Sequence, residues 1–394
     1  MVEKGIKQGR VIYSRPDENI TKPVHTNPER RLAPPVSVTS TFGGRETMEL
    51  SDLGFDGWFE QRATSLLQPG QGMARVTAVD RGAFFIRSRG ADQYAELAGK
   101  LRFETQSAMD LPCVGDWVCV QWPASEGPVL IHAVVPRKTH LRRTRPGTTE
   151  FQMLASNIDV AFIVQACDYD FNMERLERYL MMASEGHTEG RIVLSKTDMV
   201  SSVELEQKVV QIADAGISVP TIPLSNVSGF GLDDFQAHLA PGKTYCLLGS
   251  SGVGKTSLIN RLVGRNAFET KAVGATGEGV HTTTRRHLLV LEGGAMLIDT
   301  PGMREPGLIG TSEVVHDTFA DVSELALSCR FSNCIHGREP GCAILQAVAS
   351  GILSEKRYRN YLKLKEEANS MSSRISRSAG RIRNSGRSSR LPRR

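Results

Sequence analysis

No stretch of this 394-residue sequence holds about 18 consecutive apolar residues, which argues against a membrane-spanning helix. The opening MVEKGIKQGR is polar and contains Glu3, unlike a secretory signal, and Asp17 and Glu18 are out of place in an acid-poor transit peptide. Cysteine is sparse. Seven in a chain this long do not make a disulfide framework, and three of them gather at Cys329, Cys334 and Cys342. That pattern suits a reducing, cytoplasmic compartment and a bound metal. Acids are missing from Met371 to Arg394, a stretch with eight arginines. Removing those eight charges from the net +5 leaves −3, so the basic character is largely a tail. An arginine-rich, acid-free tail suits a polyanion such as nucleic acid; the alternative is a solvated end.

The residues that are present bound the rest. The chain is 40% apolar, enough for a sizeable core and two to four domains. Residues 1–50 are polar and rich in proline, as expected of a disordered extension. The string LGFDGWFEQ from Leu53 brings aromatics that should pack on the strands C-terminal to it. Between residues 73 and 136, ARVTAVD, AFFIRS, DWVCVQW and GPVLIHAVV read as short strands broken at Gly82, Gly90 and Gly115. Such spacing predicts a small barrel within 51–140. An OB-fold leads, and an SH3-like barrel fits about as well. From Asn157 strands and helices alternate, predicting a mostly parallel sheet with helices on both faces over 141–310. Residues 311–369 read as helical around the cysteine cluster, and 370–394 as a basic disordered tail.

The chemistry lies in short strings. Gly249-Ser250-Ser251-Gly252-Val253-Gly254-Lys255-Thr256 fits GxxxxGK[ST] between an apolar strand and a helix that continues through Ser257. Its glycines let backbone amides face phosphates. Lys255 can reach the β and γ oxygens, and the Thr256 hydroxyl can ligate Mg²⁺. Asp299-Thr-Pro-Gly302 follows a second strand. Asp299 can hold Mg²⁺ through water, and the Gly302 amide can meet a γ-phosphate. Between them lies His281-Thr282-Thr283-Thr284, after the glycine-rich GATGEGV. Thr283, then Thr282, is the candidate to close over Mg²⁺. Met303 follows DTPG where a glutamine would orient water. His281 is the imidazole nearest in sequence, as base or water holder, and a surface role fits it equally.

Ser195-Lys196-Thr197-Asp198 also ends a strand. A carboxylate there can accept two hydrogen bonds from the N1 and N2 edge of guanine, a donor pair that adenine lacks. Ser225 and Asn226, after TIPLS, can close over the base. This guanine-reading string precedes the phosphate loop, whereas in an ordinary guanine-nucleotide switch protein it comes last. The chain therefore reads as circularly permuted. Cys329, Cys334, His336 and Cys342 give C-x4-C-x-H-x5-C, a ligand set for tetrahedral structural Zn²⁺.

Taken together, SKTD, GSSGVGKTSLIN, HTTTRR, DTPGMRE and the cysteine–histidine string resemble the circularly permuted, small-subunit-dependent ribosome GTPases known as RsgA or YjeQ. The resemblance covers roughly residues 50–368. It implies an N-terminal OB barrel, a permuted GTPase core and a C-terminal zinc domain. It also implies GTP/GDP with Mg²⁺, one structural Zn²⁺, and binding of a monomer to the small ribosomal subunit and its rRNA late in assembly. GTP hydrolysis would be stimulated there and drive release. One departure is Ser195, where the family has Asn or Thr; the shorter side chain puts nucleotide affinity in question.

Overall fold

A computed structural model describes residues 48–80, 82–145, 148, 150–264, 286–299 and 312–385. After a 3-10 turn at Leu50–Leu53 comes α1 (Gly57–Ala63), capped by Asp56, whose carboxylate accepts from the amides of Trp58 and Phe59. The aromatics here do pack onward, Phe55 meeting Trp117 edge to face at 4.8 Å between centroids. Next come strands β1 (Gly72–Asp80), β2 (Ala83–Arg87), β3 (Gln93–Leu97), β4 (Trp117–Gln121) and β5 (Val129–Val134), with α2 (Gly99–Glu104) between β3 and β4. Their order is β1-β2-β3-β5-β4, and β4 pairs back with β1 to close the barrel. The β3–β5 pair is parallel and the other pairs antiparallel, which settles the barrel as an OB-fold. Its interior holds Ala74, Val76, Ile86, Val118 and Ile131 among other buried residues. β3 has no counterpart among the strands expected from the sequence. QYAEL is half polar and only its central Ala95 is buried, so it lacks an apolar strand's signature.

An unforeseen hairpin, β6 (His140–Thr144) with β7 (Phe151–Ser156), leads out of the barrel. The core then runs β8 (Val160–Ala166), α3 (Met173–Glu185), β9 (Glu189–Ser195), α4 (Ser202–Asp214), β10 (Thr221–Pro223), α5 (Leu232–Ala237), β11 (Thr244–Leu248), α6 (Lys255–Val263), β12 (Arg286–Val290) and β13 (Met296–Asp299). The sheet order is β10-β9-β8-β11-β13-β12, parallel except for β12. Strands β8 and β11 are buried along their whole length, as central strands covered on both faces must be. β12 also pairs with β1 of the barrel through Ala78–His287 and Val79–Arg286, so the two sheets are continuous. Arg75, 1% exposed, fastens this junction by donating to the carbonyls of Leu53, Gly115 and Asn157.

Helices α7 (Ser312–Thr318), α8 (Ala320–Leu327), α9 (Ala343–Ala349) and α10 (Glu355–Ser385) complete the described chain. A small core of Val315, Phe319, Val322, Ile344 and Leu364 takes in Met181 from α3. The α3–α10 contact is ionic as well. The buried Arg357 pairs with Glu177 at 2.6 Å and with Asp321 at 2.6 Å, and Arg178 pairs with Glu367 at 2.7 Å. α10 runs on to Ser385, so residues 370–385, expected as part of a structureless tail, are helical; no proline interrupts them. No helix among the described residues is long and apolar enough to cross a membrane.

Candidate nucleotide site and metal cluster

In an open parallel sheet, ligands sit beyond the carboxyl ends of the strands. Four loops leave β8, β9, β10 and β11 at that end, and side chains cross-link them. The phosphate loop turns after β11 with Gly249 at φ +145°, Gly252 at +80° and Gly254 at +96°. A Cβ on Gly249 would lie 2.3 Å from the Val164 carbonyl oxygen, and one on Gly254 2.9 Å from Asn226 Nδ2. The glycines are therefore required both by the turn and by the neighbouring strand. Ser251 and Gly252 form the turn, and Thr256 and Ser257 fall in the first turn of α6.

Lys255 Nζ donates to the carbonyls of Gly249 and Ser250 at 2.8 and 2.6 Å, folding its ammonium back across the loop. Burial pushes this amine down to about 8. Asp299, buried at the end of β13, opposes the shift, and the positive charge of Arg175 adds to it. An ammonium destabilised in this way gains from a phosphate partner.

The Ser195–Asp198 string is tied to the same loop. The Ser195 hydroxyl is buried and donates to the Val253 carbonyl at 2.6 Å. Serine thus makes a link from the β9 loop to the phosphate loop, despite its short side chain. Lys196 takes a left-handed conformation, φ +59°, and its ammonium pairs with Asp168 at 2.8 Å. Thr197 and Asp198 open a short 3-10 turn. The Ser225 hydroxyl donates to the Asp198 carboxylate and accepts from the amides of Val227 and Ser228, both at 3.1 Å. Asn226 Nδ2 donates to the Gly254 carbonyl at 3.1 Å, while its Oδ1 is buried without a partner. Ser195, Lys196, Asp198, Ser225, Asn226 and the loop 249–256 are thereby brought together. His281, Thr282, Thr283 and Gly302 lie outside the described residues.

Sequence reasoning missed the loop after β8, Cys167–Asn172. Asp168 holds Lys196, and Asp170 accepts from the Ser250 hydroxyl at 2.9 Å while pairing with Arg175 at 2.7 Å. Two acids directly after a buried parallel strand are the signal that could have revealed it.

In the C-terminal domain, ligand atoms of Cys329, Cys334, His336 and Cys342 lie within 4.8 Å of one another. Cys329 Sγ is 3.6 Å from His336 Nδ1 and 3.9 Å from Cys342 Sγ, and Cys342 Sγ is 3.7 Å from the same Nδ1. A tetrahedron with Zn–S near 2.3 Å has edges of about 3.8 Å, so the cluster fits a four-coordinate ion. Burial opposes ionisation of the Cys329 thiol, but the amides of Ala343 and Ile344 hold it below its ordinary value. The Tyr358 hydroxyl donates to the His336 carbonyl at 2.6 Å, fixing the ligand loop from α10.

The family model for the RsgA GTPase matches residues 134–309. The "Small ribosomal subunit biogenesis GTPase RsgA 2" of Lactiplantibacillus plantarum is 39% identical over 76% of this chain and 84% of its own length. The chain belongs to the RsgA GTPase family. The RsgA protein of Syntrophotalea carbinolica, also named a small ribosomal subunit biogenesis GTPase, is 40% identical over 81% of this chain and 90% of its own. Among solved structures, YjeQ from Thermotoga maritima superposes with a TM-score of 0.57 at 26% identity, over 76% of this chain and 98% of that one. YloQ, described as a circularly permuted GTPase, superposes at 0.54 over 76% of this chain and 96% of its own, with 23% identity, and supports the fold alone. The β6–β7 hairpin falls inside the span that the RsgA family matches, although its residues carry no separate strand signature.

Proposed function

We propose that this RsgA-family chain hydrolyses GTP to GDP and phosphate, and that it acts on the small ribosomal subunit late in its maturation. Subunit binding stimulates hydrolysis, and hydrolysis releases the protein. The observation that supports the reading is the bonding of Ser195 and Asn226 to the phosphate loop, with Asp198 held beside them by Ser225, so that a carboxylate suited to guanine stands near the loop suited to phosphates. Asp198 accepts from the base edge, held in orientation by Ser225. Lys196 lies along the base. Amides of residues 251–256 and the Lys255 ammonium neutralise the phosphates as charge spreads during in-line attack by water. Thr256, Asp299 and Thr283 are the residues for Mg²⁺, which when bound neutralises charge on the β and γ oxygens. His281 is the candidate to place the water.

The Cys329, Cys334, His336 and Cys342 cluster suits one structural Zn²⁺, since all four positions are filled by protein. We assign the barrel to 51–140, the GTPase domain to 141–310 and the zinc domain to 311–369, and take the protein as a cytoplasmic monomer. Barrel, zinc domain and basic C-terminus would meet rRNA, so subunit binding should weaken steeply with salt. The test is turnover with and without small subunits, alongside co-sedimentation under GDP and a non-hydrolysable GTP analogue. Stimulation and GTP-dependent enrichment on the small subunit are expected. Equal rates, or enrichment on the large subunit, would remove the proposal.

A further inference from the structure

The phosphate loop carries an unusual neighbour: a carboxylate. Asp170 Oδ2 lies 2.9 Å from the Ser250 hydroxyl, on the second residue of GSSGVGKT. The bond fixes the loop, and a fixed loop binds more tightly because less freedom is lost on binding. It also sets a negative charge beside the place where three phosphates must sit. Arg175, in the first turn of α3, answers that charge. Its guanidinium pairs with Asp170 at 2.7 Å and donates again to the Asp170 carbonyl. Its Nε is buried with no partner, and its charge is close enough to bear on Lys255.

Among the described residues the Arg175 guanidinium has hydrogen-bond and ion-pair partners on Asp170 alone. It is partly exposed, and its neighbours Glu174, Glu177 and Arg178 are the α3 residues that face the C-terminal domain, through Lys363, Arg357 and Glu367. Arg175 turns instead to Asp170, in the loop that holds Ser250.

We propose that Arg175 is a positioning residue for the phosphate loop: by cancelling the charge of Asp170 it lets that carboxylate pin Ser250 without repelling the nucleotide, and so it favours the triphosphate over the diphosphate. The assignment rests on the GTPase reading. It follows from Coulomb's law that a bare carboxylate would penalise the extra charge of GTP more than GDP. At an effective dielectric of about 20, an uncancelled unit charge roughly 12 Å from the added phosphate charge is worth about tenfold in affinity.

The experiment titrates a fluorescent non-hydrolysable GTP analogue and fluorescent GDP into the full chain. The proteins are wild type, Arg175→Ala, Asp170→Asn, the double variant and Arg175→Lys, each with a thermal melt. Arg175→Ala should weaken the GTP analogue about tenfold and GDP about threefold, and the deficit should shrink as salt rises. The double variant should regain most of the GTP affinity although it lacks both partners, because the bare charge is gone. Arg175→Lys should stay near wild type. A merely structural ion pair would leave the double variant as poor as Arg175→Ala, and that result overturns the assignment. So does an Arg175→Ala protein that binds both nucleotides as wild type does. Should Arg175→Ala fail to fold, the double variant against wild type decides, since both are locally neutral: similar GTP affinity supports charge cancellation, and a loss of about tenfold or more contradicts it. A wild-type chain that binds neither nucleotide overturns the GTPase reading beneath, a result separate from either of these.

Discussion

The nucleotide site and the cysteine–histidine cluster are both convergences of loops, but they are held in opposite ways. At the nucleotide site each loop is tied to a neighbour by a protein–protein bond: Ser195 to Val253, Asn226 to Gly254, Ser225 to Asp198, Lys196 to Asp168 and Ser250 to Asp170. The apolar strands β8 and β11 lie beneath. In the C-terminal domain three sulfurs and one imidazole meet over a small core, with Cys329 and Cys334 part-exposed and His336 and Cys342 buried. Four soft ligands at metal distance suit an ion that holds them, whereas the cross-linked loops are tied by the protein itself. On the proposed reading, the site that binds and releases is tied by protein bonds, and the structural site is tied by its ion.

The largest effect should come from breaking the cluster. Cys329→Ser, or a strong chelator, should unfold the C-terminal domain, because metal binding of about 10 kcal/mol is folding energy for such a module. Proteolysis should then cut within 312–369 while nucleotide affinity persists. Simultaneous loss of nucleotide binding would show that the two regions are not independently held. Acidification should have a related effect, since thiolates must be deprotonated to bind metal.

A smaller loss should come at the boundary between them. Arg357→Ala leaves Glu177 buried beside Asn360 with no cation. Burial already raises the Glu177 pKa against the pull of Arg357, so removing the arginine should cost about 3–5 kcal/mol. Differential scanning calorimetry should show a lowered transition, and a melt within a degree of wild type would mean the ion pair contributes little. Smaller again is Ser195→Ala. It removes one buried bond from the β9 loop to the phosphate loop, for a cost of about 1–2 kcal/mol. GTP affinity should fall several-fold with the base preference intact. An unchanged affinity would show that the remaining ties suffice.

How much of this was legible depends on whether a residue acts alone or through a neighbour. Gly249, Gly254 and Lys255 could be read directly, because a phosphate cradle is made of backbone and one amine within a single turn. The four candidate metal ligands could be read for the same reason: all fall between residues 329 and 342. The bond of Asp170 to Ser250 could not, because the two lie 80 positions apart, and only the pairing of β8 with β11 joins them; the position of Asp170 after a buried strand was the one available signal. Ser195 looks like a weakness in the sequence, and only its bond to Val253 shows it to be a tie. β3 escaped because an exposed, half-polar strand carries little hydrophobic pattern, and the length of α10 because serine and arginine neither demand a helix nor forbid one.

The proposed function requires Asp198 and the phosphate loop to serve one nucleotide although the sequence places them in the reverse of the ordinary order. The most direct test is competition of GTP, ATP and xanthosine triphosphate for wild type and Asp198→Asn. Wild type should prefer GTP over ATP by about a hundredfold or more, since two buried hydrogen bonds are at stake. Asp198→Asn should lose that preference and gain xanthosine triphosphate, whose edge offers an acceptor where guanine offers a donor. Equal binding of ATP and GTP by the wild type, or an Asp198→Asn protein that still selects GTP, would contradict it.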